Sequence, residues 1–481
     1  MQPIVPADPI EAVAEPHASG AAARTTSSSA AKLTPSWLVL TLLMLSYAVN
    51  FADRTIINVL GEAIKRDLQL SDTQLGLLGG LSFALLYAVM SVPIARLSDR
   101  YSRVRILSTA IAFWSAATML CAAATSYVHL LVMRVFVGIG ESGCSPSAQS
   151  LITDYFPRAK RAFAISIYYI GVPLGSFGGA MFAGALAEDY GWRVAFLVVG
   201  APGILLALVL LLLMREPPRG RFDAIEADSE APPFSAVLRT LWSTPGLRNV
   251  AAGTTLAAFT AYSIGAFLHP LFVRDFKMDY SEAAFTYGVV NAGAAAVGTF
   301  IGGWLTDVLT RRDYRWIAWL PALGLAIGIP LHVGGVLQSS LTVLVVCMFV
   351  SSFAGAFYHG PTFASIHNRI APRMRATATA ILMLLSASIG LGMGPLLTGF
   401  ASDSFAAAAF TGLDYAGECV RRGMLAAATS EVRAACGAAS AEGVRYAIAL
   451  VSLVNIVAVW NYMIAARRLS REEDGVELHG G

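Results

Sequence analysis

The stretch SPSAQSLITDYFPRAKRAFA (145–164) has a counterpart in GPTFASIHNRIAPRMRATATA (360–380). Pro146 and Pro157 stand 11 residues apart, as do Pro361 and Pro372. In each stretch an Arg follows the second Pro, another Arg follows soon after, and an Ala-rich segment comes next. A second pair lies upstream: ARLSDRYSRVR (95–105) and GGWLTDVLTRRDYR (302–315) both set Leu-x-Asp ahead of arginines. One match could arise by chance. Two, in equivalent places, indicate duplicated halves.

Around these repeats the chain is apolar. Of 481 residues, 56% are hydrophobic and 14% charged. A soluble domain of this size would need far more polar surface. Runs of about 18 or more apolar residues recur, each long enough to cross a bilayer as a helix. Twelve spans are predicted, near 36–60, 73–94, 105–126, 129–151, 161–185, 192–214, 248–272, 283–306, 316–337, 341–365, 376–400 and 444–466. The expected fold is an all-α membrane protein, twelve transmembrane helices in two pseudo-symmetric six-helix bundles. The bundles occupy 36–214 and 248–466, with a polar, Pro-rich linker over 215–247 and an outer loop over 403–443. Duplicated halves around a central cavity are a transporter architecture.

Residues 1–35 are Ala/Ser-rich and read as a disordered cytoplasmic tail, with no signal peptide. Residues 467–481 form a second tail. With both termini inside, 23 of the 34 Lys and Arg fall in inner segments and nine in outer loops. This bias supports that orientation. The net charge of +3 and the lack of a basic-aromatic motif argue against a nucleic-acid partner. Cys121, Cys144 and Cys347 read as small buried side chains. Cys419 and Cys436 lie in the outer loop, where a disulfide between them is chemically allowed.

Four charges interrupt the apolar spans of the first half: Asp53, Arg54, Arg134 and Glu141. Asp53 is 16 residues past Trp37, roughly 24 Å into the core. Arg134 is five residues past His129 on an oppositely directed helix, roughly 7–8 Å below the outer edge. The two therefore share a depth. Glu141 is two turns beyond Arg134 on the same face, nearer the midplane. Asp53 and Arg54 point about 100° apart and must find separate partners. Intramembrane charges cost free energy and mark a pathway. Arg54 and Arg134 suit an anionic headgroup, since Arg binds phosphate by paired hydrogen bonds. Asp53 and Glu141 can exchange protons. Tyr262, Phe267 and Tyr358, among aromatics of the seventh and tenth helices, are candidate cavity lining for an acyl tail. No metal site is expected: His359 and His367 lack a third ligand.

The loop ARLSDRYSRVRIL (95–107) resembles the Gly-x-Leu-x-Asp-Arg-x-Gly-Arg motif of the major facilitator superfamily, with Ala95 and Ser102 at the glycine positions. This resemblance implies that Asp99, with Arg100 and Arg103, forms a cytoplasmic gate. It also implies that the first and fourth helices line the cavity, which makes Arg134 the expected partner of the Asp53 carboxylate. Protonation of Asp53 would then free Arg134 for substrate.

More narrowly, FADR (51–54), RVFVGIGESGCSP (134–146), GVPLGSFGG (171–179), WRVAFLVVGAPG (192–203) and REPPRG (215–220) resemble the spinster branch. That branch implies proton-driven transport of lysophospholipids or sphingosine 1-phosphate-like lipids, with no cofactor beyond the proton gradient. A monomer in a bacterial inner membrane is expected. Symporters of sugar acids share the Asp-Arg and Arg...Glu pairs, so a small organic anion is the alternative substrate. A membrane enzyme is disfavoured, because no Gly-x-Ser-x-Gly or His-Glu-x-x-His motif occurs.

Overall fold

The computed structural model describes residues 33–222, 233–371, 374–412, 414–422 and 429–477. Most of the expected N-terminal tail, the middle of the linker and the end of the C-terminal tail lie outside them. Among the described residues every regular element is helical. Eleven stretches are long and apolar enough to cross a membrane, and the stretch Phe163–Leu213 holds two crossings. Gly191, at φ 82°, divides those two; its left-handed backbone turns the chain between Tyr190 and Trp192. Twelve crossings result among the described residues.

The first six are Ser36–Leu68; Asp72–Gly79 continued by Leu81–Arg100; Arg103–Cys121; Tyr127–Glu141 continued by Cys144–Tyr155; Arg158–Tyr169 continued by Gly171–Tyr190; and Trp192–Leu213. A short helix, Phe234–Ser243, follows. The second six are Pro245–Asp275; Tyr280–Tyr287 through Ala294–Thr310; Trp316–Val336; Leu341–Gly355 through His359–Arg369; Arg375–Leu385 through Gly394–Ala409; and Ser430–Ser452 continued by Val454–Glu477. With twelve crossings, both ends of the bundle lie on one face, termed the near face below. The opposite face is the far face.

Helix breaks follow proline chemistry. Pro146 has no N–H for the Ser142 carbonyl, and the fourth crossing breaks at Ser142–Gly143. Pro361 likewise deprives Phe357, and the tenth crossing tightens into a 3-10 turn at Ala356–Tyr358. The repeat frame thus interrupts the regular helix at an equivalent place in both halves.

Several helices run longer than their apolar runs. The first continues to Leu68, and the seventh ends at Asp275. The twelfth begins at Ser430, inside the segment expected to be loop, because Thr429 caps it through its side-chain oxygen. Cys419 and Cys436 are joined as a disulfide, their Cα atoms 5.3 Å apart.

The apolar core is divided unevenly. Toward the far face one cluster takes Ile56, Leu60 and Ala183 from the first six crossings and Phe267, Leu271 and Ala284 from the second six. Toward the near face the clusters separate: one holds Leu43, Leu107 and Leu151, others hold Ile317 with Tyr462 and Ile366 with Leu382. The two groups of helices are therefore welded at the far face and packed separately at the near face.

Candidate functional site

The first crossing carries Asn50, Asp53 and Arg54, and the fourth carries Arg134 and Glu141. Arg54 Nε donates to Glu141 Oε2 at 2.7 Å. Glu141 is fully buried, whereas the Arg54 side chain is 21% exposed. The guanidinium is further held over Phe51, Phe83 and Tyr87, 5.1, 5.1 and 4.8 Å from their ring centres.

Arg134 is buried and reaches the main-chain oxygen of Asp53, 3.5 Å from Nη1, not its carboxylate. Neither Asp53 carboxylate oxygen makes a hydrogen bond. Its surroundings are Trp114 and Thr118 of the third crossing, with the charges of Glu141 and Arg134 near. The expected Asp53–Arg134 carboxylate pair is thus replaced by Arg54–Glu141. Side-chain direction gives the reason. Side chains on a helix lean toward its N-terminus. Arg54 therefore reaches toward the near face and meets the deeper Glu141. Arg134, on an antiparallel helix, leans toward the far face and away from Glu141.

Of the three candidate lining aromatics, Tyr262 is 40% exposed and shares the electrostatic surroundings of Arg54. Phe267 is 1% exposed inside the far-face core. Tyr358 is buried among Ile317, Ala318 and Tyr462 and stacks on His359 at 4.2 Å. These two are packed between helices.

At the near face Arg100 is exposed, and the Asp99 side chain lies outside the described residues. Arg103 is buried. It pairs with Asp154 and with Glu216, the latter at 2.7 Å, and donates to the Pro217 carbonyl at 3.1 Å. Burial pushes the Glu216 carboxyl up, but the Val104 N–H, Arg103 and Ser102 outweigh it and hold it below the usual range. Arg219 donates to the carbonyls of Ser98 and Tyr101. Arg103 therefore braces elements of the first six crossings against the segment Arg215–Gly220.

A far-face lock was not foreseen from the sequence. Arg274 Nε bonds Glu62 at 2.7 Å, and its two Nη atoms take both oxygens of Asp72, each at 2.7 Å. Lys65 and Ser402 complete the Asp72 carboxylate, each at 2.6 Å. Asp403 accepts from the Asp72 and Thr73 N–H groups at 3.0 and 2.8 Å, a carboxylate at a helix N-terminus supplied by the other group of six. Close backbone approach accompanies the lock: a Cβ on Gly76 would sit 2.1 Å from the Pro395 oxygen, and one on Gly399 would sit 2.1 Å from the Asp72 oxygen. The available signal was opposite charge at the ends of equivalent helices, Glu62 on the first crossing and Arg274 on the seventh. Both lie just beyond the spans expected from the apolar runs, 36–60 and 248–272.

Comparison with known proteins places this geometry. The Major Facilitator Superfamily profile matches residues 43–395. An MFS-type efflux pump of Mycolicibacterium smegmatis is 31% identical over 76% of this chain and 85% of its own length. Protein spinster of Drosophila melanogaster is 28% identical over 76% of this chain and 62% of its own. A hexuronate transporter of Bacillus subtilis is 27% identical over 66% and 72%. A crystal structure of a bacterial homologue of the human lysosomal transporter spinster, inward-facing and unoccupied, superposes with TM-score 0.81 at 36% identity, over 90% of this chain and 97% of that one. The chain belongs to the Major Facilitator Superfamily, as an integral membrane transporter whose relatives include the spinster proteins.

Proposed function

We propose that this chain is a proton-coupled secondary transporter of an anionic amphiphile, a lysophospholipid or sphingosine 1-phosphate-like lipid, working by alternating access. The carrying observation is the Arg54–Glu141 pair, in which a partly exposed guanidinium is held by a fully buried carboxylate. Arg54 can take an anion only in competition with Glu141. A proton on Glu141 removes that competitor, so anion and proton binding favour each other. Asp53 is a second proton site: a buried carboxylate with neither oxygen hydrogen-bonded is costly to hold charged. Arg134 acts through the electrostatics of Asp53 and Glu141 more than by direct contact, since it is buried.

The welded far face and the separately packed near face suit a state open to the near side, which the Lys/Arg bias makes cytoplasmic. In this reading the protein resides as a monomer in a bacterial inner membrane, and no cofactor is used. Asp99 and Arg100 serve the near-face gate, with Arg103 as a brace beneath it. A sugar-acid substrate is the second reading, favoured by the similarity to the hexuronate transporter.

Binding to purified protein, followed by thermal shift, tests both. One panel holds lysophospholipids and sphingosine 1-phosphate, the other hexuronates. Stabilisation by the lipids that disappears in Arg54→Ala supports the first reading. Stabilisation by hexuronates alone moves the chain to small organic anions. Ligand effects that persist in Arg54→Ala refute Arg54 as the anion anchor.

A further inference from the structure

Asn58 lies one helical turn beyond Arg54 on the first crossing, about 6 Å nearer the far face. Its Nδ2 donates to the Tyr287 phenol oxygen at 3.4 Å. Asn291 Nδ2 donates to the same oxygen at 3.0 Å. Tyr287 and Asn291 belong to the eighth crossing, so the cluster joins both groups of helices. Tyr287 is 2% exposed, whereas Asn58 and Asn291 are half-buried. The phenol accepts from both amides and keeps its own proton to donate. The two amide oxygens remain acceptors.

The backbone here is irregular in a telling place. Residues Gly288–Gly293 form a π-helix, and Asn291 sits inside it. Single π turns within α-helices concentrate at functional sites. Space is left around the amides by glycines. A Cβ on Gly265 would lie 3.5 Å from Asn291 Nδ2, and one on Gly79 would lie 3.6 Å from Asn58 Oδ1. A small cavity lined by Asn58, Gly61, Gly79 and Phe267 adjoins the cluster. Helix packing alone is a weak reason for three polar side chains here, because interhelical hydrogen bonds in membranes add little over the alternatives the chain finds.

We propose that Asn58, Tyr287 and Asn291 form a hydroxyl-reading subsite. Arg54 holds the anionic group of the substrate, and these three residues bind its hydroxyls one turn outward. The inference rests on the reading of Arg54 as the anion anchor. The ligand class is a hydroxyl-bearing anion, a chemistry shared by the glycerol phosphate head of a lysolipid and by a sugar acid. Because the subsite draws on both groups of helices, a ligand seated there bridges them and favours the far-closed form.

The test measures binding of three probes to the purified full chain: 1-acyl-glycerol 3-phosphate, hexadecyl phosphate and glucuronate. Hexadecyl phosphate offers an anion and a tail but no hydroxyl. The parent protein should prefer the glycerol-bearing lipid by at least about tenfold, since a site built to bond a hydroxyl rejects the analogue that lacks it. Tyr287→Phe and Asn291→Leu should bring that ratio close to one and leave hexadecyl phosphate affinity unchanged, which also serves as the folding control. Arg54→Ala should weaken both lipids alike. Tyr287-dependent binding of glucuronate in place of the lysolipid supports the subsite and names a sugar acid as its source. Equal binding of the two lipids by the parent without any Tyr287-dependent glucuronate binding, or ratios untouched by both substitutions, overturns the subsite while leaving Arg54 in place. Binding of none of the three overturns the anion anchor itself.

Discussion

Arg274 grips Asp72 with both terminal nitrogens, each 2.7 Å from a different carboxylate oxygen. The two residues come from different groups of six helices, and both are buried. Breaking one side of a buried pair strands the other charge, at a cost of about 3–5 kcal/mol. Asp72→Asn should therefore loosen the far face. A membrane-impermeant thiol reagent, applied to the far side of proteoliposomes, should label an Ala266→Cys reporter faster in that background. Equal labelling rates would show that the lock does not control closure.

The glycine crossing beneath the lock is a steric condition for the same closure. An added Cβ at Gly76 would lie 2.1 Å from the Pro395 carbonyl oxygen, far inside van der Waals contact. Gly76→Ala should keep its helices but lose access to the far-closed state. Transport should fall at least tenfold while the purified variant remains monodisperse and helical by circular dichroism. Full transport by Gly76→Ala would contradict the close approach.

At the proton site, Glu141→Gln leaves Arg54 without its charged competitor. Hydrogen bonds to charged groups contribute roughly 1.5–3 kcal/mol, so anion affinity should rise about 10- to 100-fold. The pH dependence of anion binding should flatten as well. Titration of the variant across pH 5–8 checks both; an unaltered pH profile would remove Glu141 from the coupling.

The near-face brace carries a separate pH signature. Glu216 is held below its ordinary value of 4.5 in the folded protein. Its contribution to stability is thus fully present above that ordinary value and fades as pH falls toward the folded one. Thermal unfolding between pH 3 and 7 should show this acid-side loss, and Glu216→Gln should diminish it. A Glu216→Gln profile that overlays the parent would mean the Glu216 charge adds nothing to the Arg103 brace.

Some of this was legible without coordinates. Runs of apolar residues report the crossings directly, because a bilayer-length helix satisfies its backbone internally and is recognisable one segment at a time. The proline frame at 146–157 and 361–372 announced the duplication. Asp53, Arg54, Arg134 and Glu141 stood out because charge is rare in such runs. The common depth of Asp53, Arg54 and Arg134, with Glu141 deeper, followed from helical rise.

Partnership did not follow. Whether Arg54 or Arg134 meets Glu141 depends on the direction each side chain leans on antiparallel helices, and only packed helices decide that. The Arg274–Asp72–Glu62 lock joins residues more than 200 positions apart at helix ends that looked like loop charges. Phe267 and Tyr358 look no different from Tyr262 along the chain, yet they face cores and Tyr262 faces open space. The sequence by itself determined what each segment is, since insertion and helix formation are local and depend on composition. The tertiary structure decided which charges pair, which face is shut and which aromatics are free, since those depend on the rotation and crossing of whole helices.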